Sequence, residues 1–86
     1  MASSHHYFIY LLECADRSIY TGITTDVARR LDEHKNGVGA RYTLSHGAKK
    51  ILYTEQYATR GQALKREAEI KRWPRNKKLA LAHSQD

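Results

Sequence analysis

Two polar side chains fall on the apolar face of the first helix that the sequence predicts. Val27 and Leu31 are four residues apart and define one side of that helix. Arg30 and His34 lie three and seven residues from Val27, on or beside the same stripe. We therefore expect both side chains to point towards the body of the protein.

A carboxylate shares the apolar face of a second predicted helix. Glu67 lies at helical spacing among Ala63, Leu64, Ala68 and Ile70, which we interpret as the inward-facing residues of that helix. Carboxylates are rarely buried without a partner or a function. The position of Glu67 therefore calls for an explanation.

The sequence leaves two explanations for Glu67. One is an internal ion pair with Arg30 or Lys71, because a buried charge is costly unless it is paired. The other is a cleft at the edge of a sheet, in which Glu67 binds a divalent cation and Arg30 meets a phosphate. One protein carboxylate is enough for Mg²⁺, since water and substrate oxygens fill its remaining positions.

A β-hairpin is predicted near the start of the chain. The aromatic and aliphatic run Tyr7–Cys14 is typical of a buried strand, and the run Ile19–Ile23 follows after a polar turn at residues 15–18. Pairing of these strands would bring Tyr10 and Tyr20 near one another.

The middle of the chain predicts a helix, a loop and a strand. Residues 24–26 offer N-cap side chains for a helix over Val27–Lys35, which the Asn36-Gly37 pair ends. Residues 37–49 contain three glycines without periodicity and are predicted as a long functional or mobile loop. Ile51–Tyr57 reads as a third strand.

Two further helices complete the predicted order of elements. Thr59 and Gln62 have the spacing of a capping box, so a helix should begin there and run to about Trp73, where Pro74 stops it. A short helix over residues 75–82 should pack back on the body. We predict an α+β fold, a small antiparallel sheet with helices against it.

Length and composition limit the class of protein. The 86 residues allow one domain, which we place at residues 7–82 between a flexible N-terminus (1–6) and a tail (83–86). Cys14 is the single cysteine, which excludes a disulfide framework and a cysteine-rich zinc module. No apolar stretch is long enough to span a membrane, so we expect a cytoplasmic protein.

The positive charge is concentrated towards the C-terminus. The net charge is +6; residues 1–59 carry seven basic and six acidic side chains, whereas residues 60–78 carry eight and two. Such a patch is typical of proteins that bind a polyphosphate, although a solvated helix face explains it equally well. The predicted nucleic-acid contacts are Arg29, Arg41, Lys65, Arg66, Lys71, Arg72, Arg75, Lys77 and Lys78.

Four segments together resemble the GIY-YIG nuclease domain. They are Phe8-Ile9-Tyr10, Tyr20-Thr21-Gly22, the helix at residues 26–34 and the segment at residues 63–67. The resemblance extends from about Tyr7 to Leu81 and is greatest to small single-domain bacterial members, the UPF0213-like group. Phe8 and Thr21 replace the Gly and Ile of the name-giving motifs, at positions that contribute no reactive side chain.

The resemblance implies a fold and a set of site residues. The fold would be a three-stranded antiparallel sheet flanked by helices. Tyr10 and Tyr20 would be the motif tyrosines, Arg30 the catalytic arginine, His34 a residue at the position where relatives carry His or Tyr, and Glu67 the ligand of Mg²⁺ or Mn²⁺. The resemblance leaves open which of Tyr10, Tyr20 and His34 acts as the base.

The expected function is that of a metal-dependent endonuclease that hydrolyses phosphodiester bonds in DNA, directed by DNA structure or by a protein partner that supplies specificity. The alternative is a binding module of the same fold that holds nucleic acid without cutting it. A third reading is a domain whose basic helix binds an acidic protein. A complete set of Tyr10, Tyr20, Arg30, His34 and Glu67 favours the nuclease.

Overall fold

The computed structural model describes residues 6–84 and contains three strands and four helices in that range. The predicted flexible N-terminus lies outside the described residues except for His6, as do the last two residues of the predicted tail. In chain order the elements are β1 (Tyr7–Cys14), β2 (Ile19–Thr24), α1 (Val27–Lys35), α2 (Arg41–His46), β3 (Ala48–Tyr57), α3 (Arg60–Lys71) and α4 (Arg75–His83).

The strands form one antiparallel sheet in the order β2-β1-β3. Tyr10 pairs with Gly22 and Leu11 with Thr21 across the hairpin, while Tyr10 faces Thr54 on the other side. Because β1 is central, its residues from Ile9 to Leu12 are buried on both faces of the sheet. The predicted α+β fold with a three-stranded antiparallel sheet is confirmed.

The main core lies between one face of the sheet and the C-terminal helices. Ile9, Leu11 and Ile19 form a buried cluster with Ala63 and Ile70 of α3. The partly buried side chains of Trp73, Leu79 and Leu81 pack against that cluster, as predicted for the short helix that carries the two leucines. Since strand residues alternate between faces, Tyr10 points to the opposite face, where α1 lies.

Local capping explains the helix boundaries. The Asp26 carboxylate accepts a hydrogen bond from the backbone N–H of Arg29, and α1 spans the predicted residues. The Thr59 hydroxyl accepts from the N–H of Gln62, so the predicted start of α3 is confirmed, while the helix ends two residues before Trp73. None of the helices within residues 6–84 is long and apolar enough to cross a membrane.

The prediction that residues 37–49 form a loop is wrong, as the structure of this segment shows. It contains α2, and β3 begins at Ala48, three residues before the predicted strand. Helix α2 has only six residues and no side-chain N-cap. Its apolar residues Tyr42 and Leu44 are exposed rather than aligned on one buried face, so the sequence shows no helical periodicity there. Gly47, with φ 76°, reverses the chain into β3.

Candidate active site

A chain of hydrogen bonds joins β1, α1 and α2 in the interior. The Tyr10 hydroxyl lies 2.7 Å from His34 Nε2, and His34 Nδ1 lies 2.6 Å from Thr43 Oγ1. The Thr43 hydroxyl in turn donates to the Ala40 carbonyl at 3.1 Å. Tyr10, His34 and Thr43 are each about 1% exposed, so this chain is shielded from water.

The bonding pattern specifies the tautomer of His34. Because the Thr43 hydroxyl proton is used on the Ala40 carbonyl, the Thr43 oxygen must accept from His34 Nδ1–H. His34 Nε2 is then the acceptor of the Tyr10 phenol proton. Burial and the positive charge of Arg30 lower the pKa of His34, and the nearby Glu33 opposes them only in part, so the ring is neutral near pH 7.

Two glycines leave the space that this arrangement needs. A Cβ atom on Gly22 would overlap the phenol of Tyr10, its cross-strand partner. A Cβ atom on Gly39 would overlap the His34 ring. The glycine of the Tyr20-Thr21-Gly22 motif is thereby explained by packing, because only glycine lets the Tyr10 ring lie across β2.

The Arg30 side chain links α1 to the segment between α1 and α2. Its Nη1 donates to Glu33 Oε1 at 2.9 Å and its Nη2 donates to the Gly39 carbonyl at 2.8 Å. The hydrogen bond with Glu33 has the largest influence on the pKa of Arg30 and raises it, and the interaction with Tyr10 raises it further. Burial lowers the pKa of Arg30 by less, so the pKa lies above its ordinary value. The guanidinium is therefore a permanent, oriented positive charge.

Tyr20 lies beside the buried Tyr10–His34–Thr43 hydrogen-bond chain but is itself only half-buried. Its ring centroid is 5.3 Å from that of His34 and 6.2 Å from that of Tyr10. On its other side the Tyr42 ring lies 5.7 Å away. Tyr20 therefore connects the interior of the site to the surface.

Glu67 lies between the buried residues Ala63 and Ile70 along α3, and its side chain is 14% exposed. The carboxylate pairs with Lys71 one turn later, with Oε2 3.4 Å from Nζ. Of the two ion-pair partners that the sequence allowed, the structure selects Lys71. Ala68 is exposed, so its assignment to the inward face was wrong: five residues from Ala63 and two from Ile70, it lies roughly 140° and 160° round the helix from these buried residues.

Several of the predicted site residues influence the pKa of Tyr10. Burial raises the pKa of Tyr10 to about 12, the hydrogen bond and charge of Arg30 lower it, and Tyr20 and Glu67 raise it. Arg30, Tyr20 and Glu67 thus act electrostatically on the same hydroxyl to which His34 is bonded. The structure brings Tyr10, Tyr20, Arg30 and His34 together from β1, β2 and α1, and Glu67 of α3 is near enough for its charge to act on Tyr10.

The geometry ranks the three residues that could serve as a base. Tyr10 is buried with a raised pKa, and His34 already accepts the Tyr10 proton at Nε2. Neither has a free, accessible basic atom for a water molecule. Tyr20 retains exposed surface and is the best placed of the three to contact solvent.

The donor set fits a metal that keeps most of its own water. Within the described range 6–84, no group of three or more His, Cys, Asp or Glu side chains could hold an ion by itself. Mg²⁺ and Mn²⁺ accept a single carboxylate with water and substrate oxygens in the other positions. Glu67 satisfies that requirement once Lys71 moves aside.

Two of the predicted nucleic-acid contacts, Arg66 and Lys71, lie on different sides of α3. Lys71 lies with Glu67, whereas the adjacent Arg66 points to another side of α3 and pairs there with Glu55 and Glu69. The remaining exposed members are Arg29, Arg41, Lys65, Arg72, Arg75 and Lys77.

Lys78 and Arg66 are poorly placed for contacts with phosphate. Lys78 is only 9% exposed, and burial together with the nearby charge of Lys71 lowers its pKa. The Arg66 guanidinium is engaged by two carboxylates. The sequence could not reveal either fact, because the residue type alone does not show whether the charged group of a Lys or Arg is exposed, buried or paired with a carboxylate.

Sequence reasoning missed Thr43, Gly39 and Tyr42. Each contacts a predicted site residue, and all three lie in the segment that was predicted as a loop. The one available signal was the length and glycine content of that segment, which pointed to a functional role but to no particular residue.

We expect Thr43→Val to disturb the His34 tautomer. Valine has the shape of threonine but leaves Nδ1–H without an acceptor in a dry interior, so the free energy of unfolding should fall by about 1–3 kcal/mol. Nitrogen-15 NMR should detect one Nδ1–H tautomer of His34 in the wild type and a mixture in the variant. Thr43→Ser should behave as the wild type; a mixed tautomer in the wild type would contradict the hydrogen-bond assignment.

Comparison with known proteins identifies the same domain family that the sequence resembles. Residues 6–80 match the GIY-YIG catalytic domain. A UPF0213 protein of Cupriavidus necator is 49% identical over 81 residues, covering 94% of this chain and 88% of the relative. A UPF0213 protein of Haloquadratum walsbyi is 47% identical over 77 residues, covering 90% and 86%.

Two solution NMR structures are also similar. A protein from E. faecalis has a TM-score of 0.64 at 37% identity, covering 98% of this chain and 90% of that one. The UPF0213 protein of Bacillus halodurans has a TM-score of 0.57 at 40% identity, covering 91% and 83%. On the match to the catalytic domain and these relatives, the chain belongs to the GIY-YIG nuclease family.

Proposed function

We propose that this protein is an endonuclease that hydrolyses phosphodiester bonds in DNA with the help of a divalent metal ion. The observation that carries the proposal is the buried Tyr10–His34 hydrogen bond with the Tyr20 ring against it and the fixed Arg30 guanidinium on the same helix as His34; the Glu67 charge also acts on Tyr10. A fixed guanidinium and a carboxylate that act on the same tyrosine suit phosphoryl transfer, in which negative charge must be stabilised as water attacks. The net charge of +6 supports a polyanionic substrate.

The residues of the chain have separate parts in this proposal. Arg30 donates to the phosphoryl oxygens and stabilises the charge that develops on them. Tyr20, at the edge of the interior, orients the attacking water. Tyr10 and His34 hold Tyr20 and the segment between α1 and α2 in place through their ring contacts and the bond to Thr43.

Glu67 would hold Mg²⁺ or Mn²⁺. When bound, such an ion lowers the pKa of coordinated water and neutralises charge on the phosphate. The Glu67 carboxylate is available for this because its ion-pair partner, Lys71, is a half-exposed residue of the same helix with a flexible side chain.

One observation favours the alternative, a binding module that does not cut. The Lys71 ammonium lies 3.4 Å from Glu67 Oε2, where it competes with a cation. If that ion pair persisted in the presence of substrate, the protein would hold nucleic acid by phosphate contacts alone. Its affinity would then fall steeply with salt, without cleavage at any metal concentration.

A panel of DNA substrates separates these functions. Purified protein is incubated with labelled single-stranded, duplex, nicked and branched DNA in Mg²⁺, in Mn²⁺ and in a chelator. We expect cleavage of at least one substrate with metal and none with the chelator. Binding that weakens with salt but leaves every DNA intact in both metals would contradict the proposal and favour the binding module.

A further inference from the structure

An apolar surface lies next to the candidate active site. Val38, Tyr42 and Leu44 are 72%, 38% and 63% exposed, and they are the exposed large hydrophobic residues of the described part of the chain. All three fall within seven consecutive residues, which we call the 38–44 surface. Tyr42 and Leu44 are two positions apart on α2 and point to different sides of that helix, and Tyr42 is the one of the three whose ring contacts a residue of the candidate site.

The 38–44 surface is continuous with the site. The Arg30 guanidinium donates to the Gly39 carbonyl at 2.8 Å, and His34 bonds to the Thr43 hydroxyl. The Tyr42 ring lies against Tyr20, with centroids 5.7 Å apart and planes tilted by 33°. A nucleotide whose phosphate met Arg30 would therefore have its base close to residues 38–44.

The Tyr42 ring is positioned by contacts with its own helix. Its ring is stacked on that of His46, with centroids 3.9 Å apart and planes at 6°. His46 Nδ1–H donates to the Tyr42 carbonyl at 2.7 Å, which holds the stack together. Little side-chain freedom would be lost on binding, and the exposed Arg41 beside Tyr42 supplies positive charge for a nucleic-acid backbone.

We propose that the 38–44 surface stacks an unpaired nucleobase next to the bond that is cut. This inference rests on the proposed action on DNA and names its substrate class, DNA with a single-stranded segment beside the scissile phosphate. Aromatic rings bind bases through their π-faces without regard to sequence. Bases inside an intact duplex are stacked on each other and cannot reach Tyr42.

The test measures binding in the presence of a chelator, so that no cleavage is needed. The ligands are a duplex with a single-stranded overhang that contains 2-aminopurine, and the same duplex with abasic residues in the overhang. We expect the wild type to bind the first about tenfold more tightly and to quench its fluorescence. Tyr42→Ala should bring that ratio close to one, while the matched control Tyr42→Phe should preserve it.

Salt and metal separate the remaining outcomes. Both affinities should fall with salt, but their ratio should stay constant, because stacking does not release counterions. Equal binding of the two ligands, or a Tyr42→Ala variant that melts like the wild type and keeps the ratio, would overturn the inference even if metal then produced cleavage. A ratio that depends on Tyr42 without any cleavage would support the 38–44 surface and contradict the nuclease.

Discussion

Glu67→Gln is expected to lower the rate of metal-dependent DNA cleavage by at least about a hundredfold, because an amide keeps the shape of the side chain but loses the charge that attracts a divalent cation. The fold should be unaffected. The Glu67 side chain is 14% exposed and its partner Lys71 is half-exposed, so loss of this ion pair should change the free energy of unfolding by no more than about 1 kcal/mol. Initial cleavage rates in Mg²⁺ measure the first effect and thermal unfolding the second.

Glu69→Gln is the matched control for this substitution. It makes the same chemical change two residues along α3, at a side chain that is 57% exposed and pairs with Arg66. We expect the control to cleave as fast as the wild type. Cleavage by Glu67→Gln at the wild-type rate, or an equal loss in both variants, would rule out a special role for Glu67.

Glu55→Gln is expected to cause the largest loss of stability, about 2–3 kcal/mol in the free energy of unfolding. The Glu55 carboxylate accepts two hydrogen bonds from Arg66, at 2.9 and 3.0 Å, and one each from Tyr53 and Tyr57 at 2.6 Å. Glutamine would turn an N–H₂ group towards these donors and leave the Arg66 charge in a partly buried site without its main partner.

The same cluster predicts a dependence of stability on pH. Burial raises the pKa of Glu55, but the hydrogen bonds from Arg66, Tyr53 and Tyr57 lower it by more, so the folded pKa lies below the ordinary value of about 4.3. The stabilisation is therefore complete above that value and is lost as pH falls through the folded pKa. Chemical unfolding at pH 7 and below pH 4 should show the difference between wild type and Glu55→Gln shrinking in acid.

Glu69→Gln again provides the comparison. Its pair with Arg66 is exposed on one side and should contribute within about 0.5 kcal/mol. Equal destabilisation by Glu55→Gln and Glu69→Gln would mean that the Glu55 cluster is no stronger than a surface ion pair. A difference that did not depend on pH would contradict the lowered pKa of Glu55.

The features that depend on neighbours along the chain could be predicted from the sequence alone. Strand β1, the start of β2 and the bounds of α1 follow from the two-residue and helical periods and from capping by Asp26. The inward placement of Arg30, His34 and Glu67 also follows from helical spacing. Each of these features is encoded within one turn or one strand.

The tertiary structure decided which polar groups meet. The sequence did not indicate that Thr43 would orient His34, that Gly22 would make room for Tyr10, or that Arg66 would be engaged by Glu55. The helix α2 escaped prediction because a six-residue helix with an exposed apolar side has no period to detect. These contacts join residues that are distant in the chain, and their geometry arises only when the sheet and helices pack together, since a side chain's type and spacing do not specify its partner across the core.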